Sequence, residues 1–253
     1  MISRRPDARF NRGRIATVAG IAGPPPPVTP LTILGSAAWW VRADLGITIA
    51  TGVSAWADQS GNGVDFSQGT GAAQPAFIAS AINGQPAVRG DGAGDVMAAT
   101  WARASPSTQP FYIWLILKQV SFAAGRTIVG DYTAPNGFIF EQSGSSPDVR
   151  MYNVSAGSVT GGATVGSYAR LEAQFTGSAA DYIKAGAAAA VSGVNSGVLA
   201  GGGTLQLFKG GPSAGVASNV EIAEAFCFLG TPDAGQRAAL DAYCTSRYGA
   251  GLV

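Results

Sequence analysis

The sequence predicts an all-β sandwich that ends in one helix and is preceded by an extended N-terminal arm. Short apolar runs recur roughly every ten residues from Ser36 onward, separated by Gly, Asn, Asp and Pro, the rhythm of short strands and tight turns. Only the last stretch, near residues 231–249, switches to helical spacing. The first 35 residues fit neither pattern, because scattered arginines lead into Pro24-Pro25-Pro26-Pro27 and then Pro30. At 253 residues the chain suits one sandwich domain over 36–253 behind an arm over 1–35. A domain of that size buries roughly 70% of its unfolded surface and needs no metal or disulfide to fold.

In the arm, four prolines fix a polyproline II rod that lacks backbone donors for a sheet or helix. Fully extended, it reaches at most roughly 115 Å. It reads as an anchor that orders on a partner, with a plain disordered tail as the alternative. Arg4, Arg5, Arg9, Arg12 and Arg14 are its ion-pairing groups, and Phe10, Ile15, Val18 and Ile21 its apolar pegs.

Strands are expected at Phe111–Val120, Arg126–Tyr132, Gly137–Gln142, Val149–Val154, Ala169–Phe175, Asp181–Ala185, Thr204–Lys209 and Val220–Leu229. The first of these is apolar from Phe111 to Leu117, which marks a strand buried on both faces. Asn83-Gly84 supplies the positive φ of a tight turn. In the closing helix Thr231 is the expected N-cap, Pro232 the first helical position, and Asp233 favours the positive end of the dipole. Leu240, Tyr243, Cys244 and Tyr248 share one face, and Gly249 ends the helix.

Composition excludes whole classes of chemistry. The chain has no histidine, which removes Ser-His-Asp triads, Cys-His dyads and His-ligated zinc. Sixteen basic residues against fifteen acidic ones leave a net charge of +1, so the charge as a whole attracts no polyanion. The arm's five arginines carry no interleaved aromatic pattern and point to no nucleic acid. Cys227 and Cys244 are expected as buried thiols rather than a disulfide framework. The longest apolar stretch is too short to span a bilayer, and the basic start runs into polar residues rather than a signal-type apolar core, so no membrane is expected.

The most specific stretch runs from Trp39 to Met97. It contains Trp40, Ala43 and Asp44, then Trp56, Asp58, Ser60, Gly61, Asn62 and Gly63, then Asn83, Gly84, Pro86, Ala87, Asp91 and Gly92. This series resembles the LamG-like, concanavalin A-type lectin/glucanase family, in the form found in phage virion and bacterial surface proteins. The C-terminal strand and closing helix look like that family's as well. The resemblance implies a concanavalin A-like jelly-roll β-sandwich and leaves function open, because such folds host lectins, hydrolases and structural modules alike. One departure stands out: the family has an aromatic residue before Asp-Gly, whereas this chain has Gly90.

Candidate site residues follow from the same stretch. Trp40, Trp56 and Trp114 are expected in the core, Trp39 opposite Trp40, and Trp101, in a polar loop, as the exposed ring for a possible glycan contact. Asp58, Asn62 and Asp91 are calcium candidates, but calcium takes six to eight oxygens, and the Asp-Gln-Ser-Gly-Asn-Gly turn is explained by Asx-turn capping, so no metal is assigned. Glycoside hydrolysis needs two flanking carboxylates. Glu141 and Glu172 are isolated, and Glu221 and Glu224, three apart on a strand, are expected on opposite faces. The Glu-x-Asp-x-x-Glu pattern of the family's glucanases is missing, so no catalytic residue, cofactor or enzymatic activity is expected. The resulting expectation is a structural virion protein of a tailed bacteriophage, assembled in the host cytoplasm: a capsid decoration or head fibre, with tail or baseplate also open. Its partners would be a capsid or tail subunit and further copies of itself. The alternative is a carbohydrate-binding module that recognises a cell-surface glycan.

Overall fold

The run Phe111–Leu117 is buried on both faces, and the fold is layered outwards from it. The computed structural model describes residues 27–102, 110–131, 138–153, 155–159, 163–176, 181–194, 203–210 and 216–252. A short helix α1 (Pro30–Leu34) leads into β1 (Trp39–Arg42), β2 (Ile47–Ile49), β3 (Val53–Trp56), β4 (Phe66–Ser67), β5 (Ala76–Ile82), β6 (Gln85–Arg89) and β7 (Met97–Thr100). Then come β8 (Phe111–Gln119), β9 (Arg126–Asp131), β10 (Phe138–Gln142), β11 (Val149–Asn153) and β12 (Ser155–Val159). The last elements are β13 (Tyr168–Phe175), β14 (Asp181–Ala185), β15 (Val191–Val194), β16 (Thr204–Leu207), β17 (Val220–Phe228) and helix α2 (Ala234–Tyr248).

The strands form two sheets with antiparallel pairing throughout, so the all-β sandwich stands. The first sheet has eight strands in the order β15-β14-β13-β8-β17-β6-β5, with β1 also pairing β17. The second has nine, ordered β12-β11-β10-β9-β16-β7-β4-β3-β2. Alternation of side chains along β8 explains the layering. Phe111, Ile113, Leu115 and Leu117 enter the core between the sheets, with Trp39, Trp56, Phe138 and Phe140. Tyr112, Trp114 and Ile116 point the other way, into a second core beneath α2. Trp39 and Trp40 divide between the two cores in the same manner, as expected of neighbours on a strand.

Both helices lie over the first sheet. Leu240, Tyr243, Cys244 and Tyr248 form the buried face of α2. Its N-cap is Asp233 rather than Thr231. The Asp233 carboxylate accepts from the Gln236 amide at 2.8 Å while the Gln236 side chain bonds the Asp233 amide at 2.9 Å, a capping box that fixes the start two residues later than expected. Helix α1, whose residues the sequence reading placed in the arm, is folded. Thr29 caps it, Pro30 sits in its first turn, Gly35 ends it at φ +79°, and Leu34 is buried in the second core. Cys227 and Cys244 are buried on opposite sides of the first sheet and are not in disulfides. Among the described residues no helix is long and apolar enough to cross a membrane.

Candidate functional site

The outer face of the first sheet gathers three of the chain's four glutamates, Glu172, Glu221 and Glu224. Strand β17 carries a β-bulge between Ile222 and Glu224. Ala223 is the extra residue, and it resets the alternation, so Ile222 and Ala225 both enter the core between the sheets. Glu221 and Glu224 therefore share the outer face. This corrects the expectation of opposite faces, which counted a regular period of two.

Glu224 has no exposed surface. Its Oε1 accepts from Trp40 Nε1 at 2.6 Å, its Oε2 accepts from Tyr248 OH at 2.6 Å, and Tyr243 OH lies 3.0 and 2.9 Å from the two oxygens. Burial pushes the Glu224 carboxyl above the usual carboxylate range, although these hydrogen bonds and the nearby Arg42 pull it back in part. Glu221, three residues earlier on the same strand, meets Lys118 Nζ at 2.6 Å and the Tyr168 hydroxyl. Glu172, two strands away, accepts from Tyr112 OH, while Arg170 pairs with Asp241 of α2. These groups tie the helix to the sheet.

Beside this network lies a cleft of about 710 Å³, lined among others by Pro27, Val28, Arg42, Asn83, Tyr243 and Arg247. Asp44 ties its two arginines together, at 2.7 Å from Arg42 Nε and 2.7 Å from Arg247 Nη2. Both cations hold the Asp44 carboxyl below its usual range against partial burial, which would raise it. Val28, at the mouth, is 62% exposed.

A smaller cavity, about 120 Å³, opens at one end of the sandwich where three loops converge. Asp91 and Gly92 come from the β6–β7 loop, Ser121 from the β8–β9 loop, Arg126 and Gln142 from β9 and β10, and Asn219 from the approach to β17. Arg126 Nη1 donates to the carbonyls of Gly92 (3.3 Å) and Ala217 (3.2 Å), which joins two of the loops. Gln142 Nε2 donates to Gln119 Oε1 and to the Ser121 carbonyl, both at 2.7 Å. Gly92 has φ +78°, and a Cβ there would lie 3.0 Å from the Asn219 Cβ, so the close approach of these loops needs glycine. Partial burial would raise the Asp91 carboxyl, but the amides of Ala93, Gly94 and Asp95 outweigh it and hold the group below its usual range.

The sequence-predicted site residues fare differently. Arg4, Arg5, Arg9, Phe10, Arg12, Arg14 and Ile15 lie outside the described residues. Trp101 is 4% exposed and cannot offer a face to a sugar. Its ring meets Trp39, Phe111 and Phe138 edge-on at 6.1–6.3 Å, because the inward alternation Met97, Ala99 runs past the end of β7 and carries Trp101 into the core. Asp58 is engaged by protein on both oxygens: Oδ1 accepts from the amides of Trp40 and Ser60, and Oδ2 from Ser60 Oγ and the Val64 amide. Asn62 donates to the carbonyls of Ala37 and Ala38. The Trp-x-Asp-x-Ser-Gly-Asn-Gly turn is thus a clamp on β1. Asp91 stands apart from both, at the end cavity. Among the described residues no three His, Cys, Asp or Glu side chains gather as a metal site. The sequence reading missed Ser121, Arg126, Gln142 and Asn219, which share no motif and meet only through loop convergence.

No family model matches the chain. No curated protein matches it either. Among solved structures it is similar to Trypanosoma rangeli sialidase in complex with sialic acid, at 12% identity and a TM-score of 0.54, covering 84% of this chain and 33% of that one. It is also similar to an arabinofuranosidase complexed with arabinofuranosyl-alpha-1,2-xylobiose, at 12% identity and a TM-score of 0.57, covering 78% of this chain and 51% of that one. A GH54 α-L-arabinofuranosidase soaked with a cyclic sulfate inhibitor gives 14% identity, a TM-score of 0.56, and coverage of 79% and 51%. The chain thus spans a third of the sialidase and about half of the arabinofuranosidases. The expectation that the chain is no enzyme is corrected on this ground: the similar structures named above are a sialidase and arabinofuranosidases, and the opposed-face argument against paired glutamates has failed. At this identity the likeness is one of fold alone.

Proposed function

We propose that the chain is a structural protein of a tailed-phage virion, a capsid decoration or head fibre, that displays its sandwich and is held by its N-terminal segment. The observation that carries this reading is the root of that segment. The described chain starts at Pro27 on the outside of the first sheet, passes through α1, and reaches its first strand only at Trp39. The described chain thus begins on the helix-covered side of the sandwich. An anchor on that side turns the second sheet away from the particle. The resemblance of the Trp39–Met97 stretch to the LamG-like form common in phage virion proteins supports the same reading. Repetition over a symmetric lattice turns modest arm contacts into avidity. The test compares the full chain with one that starts at Pro27, each added to particles that lack it. The shortened chain is expected to melt cooperatively at the same temperature and to stay off the particles. Normal attachment without residues 1–26 would overturn the anchor.

A second reading is favoured by the comparisons: recognition of a carbohydrate. The proteins that share the fold are described with sialic acid and with arabinofuranosyl-xylobiose bound, and a displayed sandwich facing a cell surface would meet glycans first.

A further inference from the structure

We propose that the end cavity formed by Asp91, Ser121, Arg126 and Asn219 binds the hydroxylated edge of one terminal sugar residue. This inference rests on the carbohydrate-recognition reading and assigns it a place. The argument is one of donor and acceptor inventory. The amides of Ala93, Gly94 and Asp95 all converge on Asp91 Oδ1, at 2.8, 3.0 and 3.2 Å, which leaves Oδ2 as an ionised acceptor. Arg126 uses Nη1 to hold Gly92 and Ala217, so Nε and Nη2 have no protein acceptor among the described residues. Asn219 Oδ1 receives Arg89 Nε at 3.4 Å, while its Nδ2 and the Ser121 hydroxyl likewise have no protein partner among the described residues.

A fixed carboxylate beside three kinds of donor selects the ligand class. A simple anion is repelled by Asp91, and a metal cation by Arg126. A pair of vicinal hydroxyls suits both, because each hydroxyl donates to a carboxylate and accepts from a guanidinium, amide or hydroxyl. Size agrees: about 120 Å³ is well below the roughly 300–1,000 Å³ of pockets that enclose a drug-sized ligand. The cavity therefore takes one end of a glycan, edge-on. The site is also built: Gly92 must be glycine for the loops to meet, and the Gln142 amide is buried and bonded to Gln119 and Ser121.

The full-length chain is screened against a panel of immobilised oligosaccharides ending in hexose, pentose, N-acetylhexosamine or sialic acid. The strongest ligand is then titrated calorimetrically against wild type, Asp91→Asn and Ser121→Ala. Asn at 91 keeps the Oδ1 cap on the loop amides and replaces the free oxygen by a donor, so the fold is retained. Saturable binding that falls at least tenfold in Asp91→Asn and severalfold in Ser121→Ala, with both variants folded and melting cooperatively well above the assay temperature, is the expected result. Equal binding by all three chains would overturn this site while leaving carbohydrate recognition standing elsewhere on the sandwich. Absence of binding by wild type to every member of the panel would overturn both.

Discussion

Gly90 stands where the sequence reading expected an aromatic residue before Asp-Gly, and the structure supplies the reason. A Cβ at Gly90 would lie 2.8 Å from the Ser218 carbonyl oxygen and 2.9 Å from both Cβ and Cδ1 of Phe208. Phe208, fully buried at φ +69°, occupies the space against this strand end. The aromatic expected before Asp-Gly is thus delivered from 118 positions later in the chain, the separation between residues 90 and 208. Gly90→Ala is expected to cost about 1–3 kcal/mol by overpacking, read as a lower denaturation midpoint in urea. A variant as stable as wild type would mean that Phe208 yields freely. At this scale, legibility followed local chemistry. The Asp58 and Asn62 clamp and the Asn83-Gly84 turn were legible because turn residues act on backbone close in sequence; Asn83 and Gly84 do take positive φ, at 47° and 74°. Trp101 was misread because the polarity of its neighbours masked an alternation that continued beyond the strand.

At the scale of elements, β17 and α2 are joined through Glu224. Three donors, Trp40 Nε1, Tyr243 OH and Tyr248 OH, converge on this carboxylate from β1 and α2. Its carboxyl is raised by burial, so the folded protein holds the proton to higher pH than the unfolded chain does. The stability this contributes is full below the ordinary carboxylate range and is lost as pH rises through the folded value. Arg42, Tyr243 and Tyr248 face the same group but titrate far above that window; the tyrosines are raised by burial and by the Glu224 charge. Unfolding free energies of wild type and Glu224→Gln, measured by urea between pH 4 and 8, should therefore diverge with pH, wild type losing ground to the variant as pH rises. A pH-independent difference would contradict a buried, titrating Glu224. The strand rhythm that located β8, β13, β14 and β17 could not show this link, because nothing in Glu-Ile-Ala-Glu announces a bulge. Helix α1 was legible and missed: Thr29-Pro30 with Gly35 repeats the start and stop logic applied to the closing helix, hidden behind the proline run.

For the whole molecule, the sandwich was legible because periodicity and turn chemistry report layers directly. The full burial of β8 also announced a covered outer face. The arrangement of loops at the sandwich end was not legible, since it depends on Arg126 reaching the carbonyls of Gly92 and Ala217, which no short pattern encodes. The first sheet is covered by the two helices on its outer side, and the proposed anchor would use that side and leave the second sheet outward. The most direct measurement is quantitative mass spectrometry of purified particles, counting this chain against the major capsid protein. The account predicts a fixed, reproducible stoichiometry in intact particles: a copy number near that of the capsid lattice for a decoration, or a few copies for a fibre or tail position. Consistent absence of the chain from intact particles would contradict it.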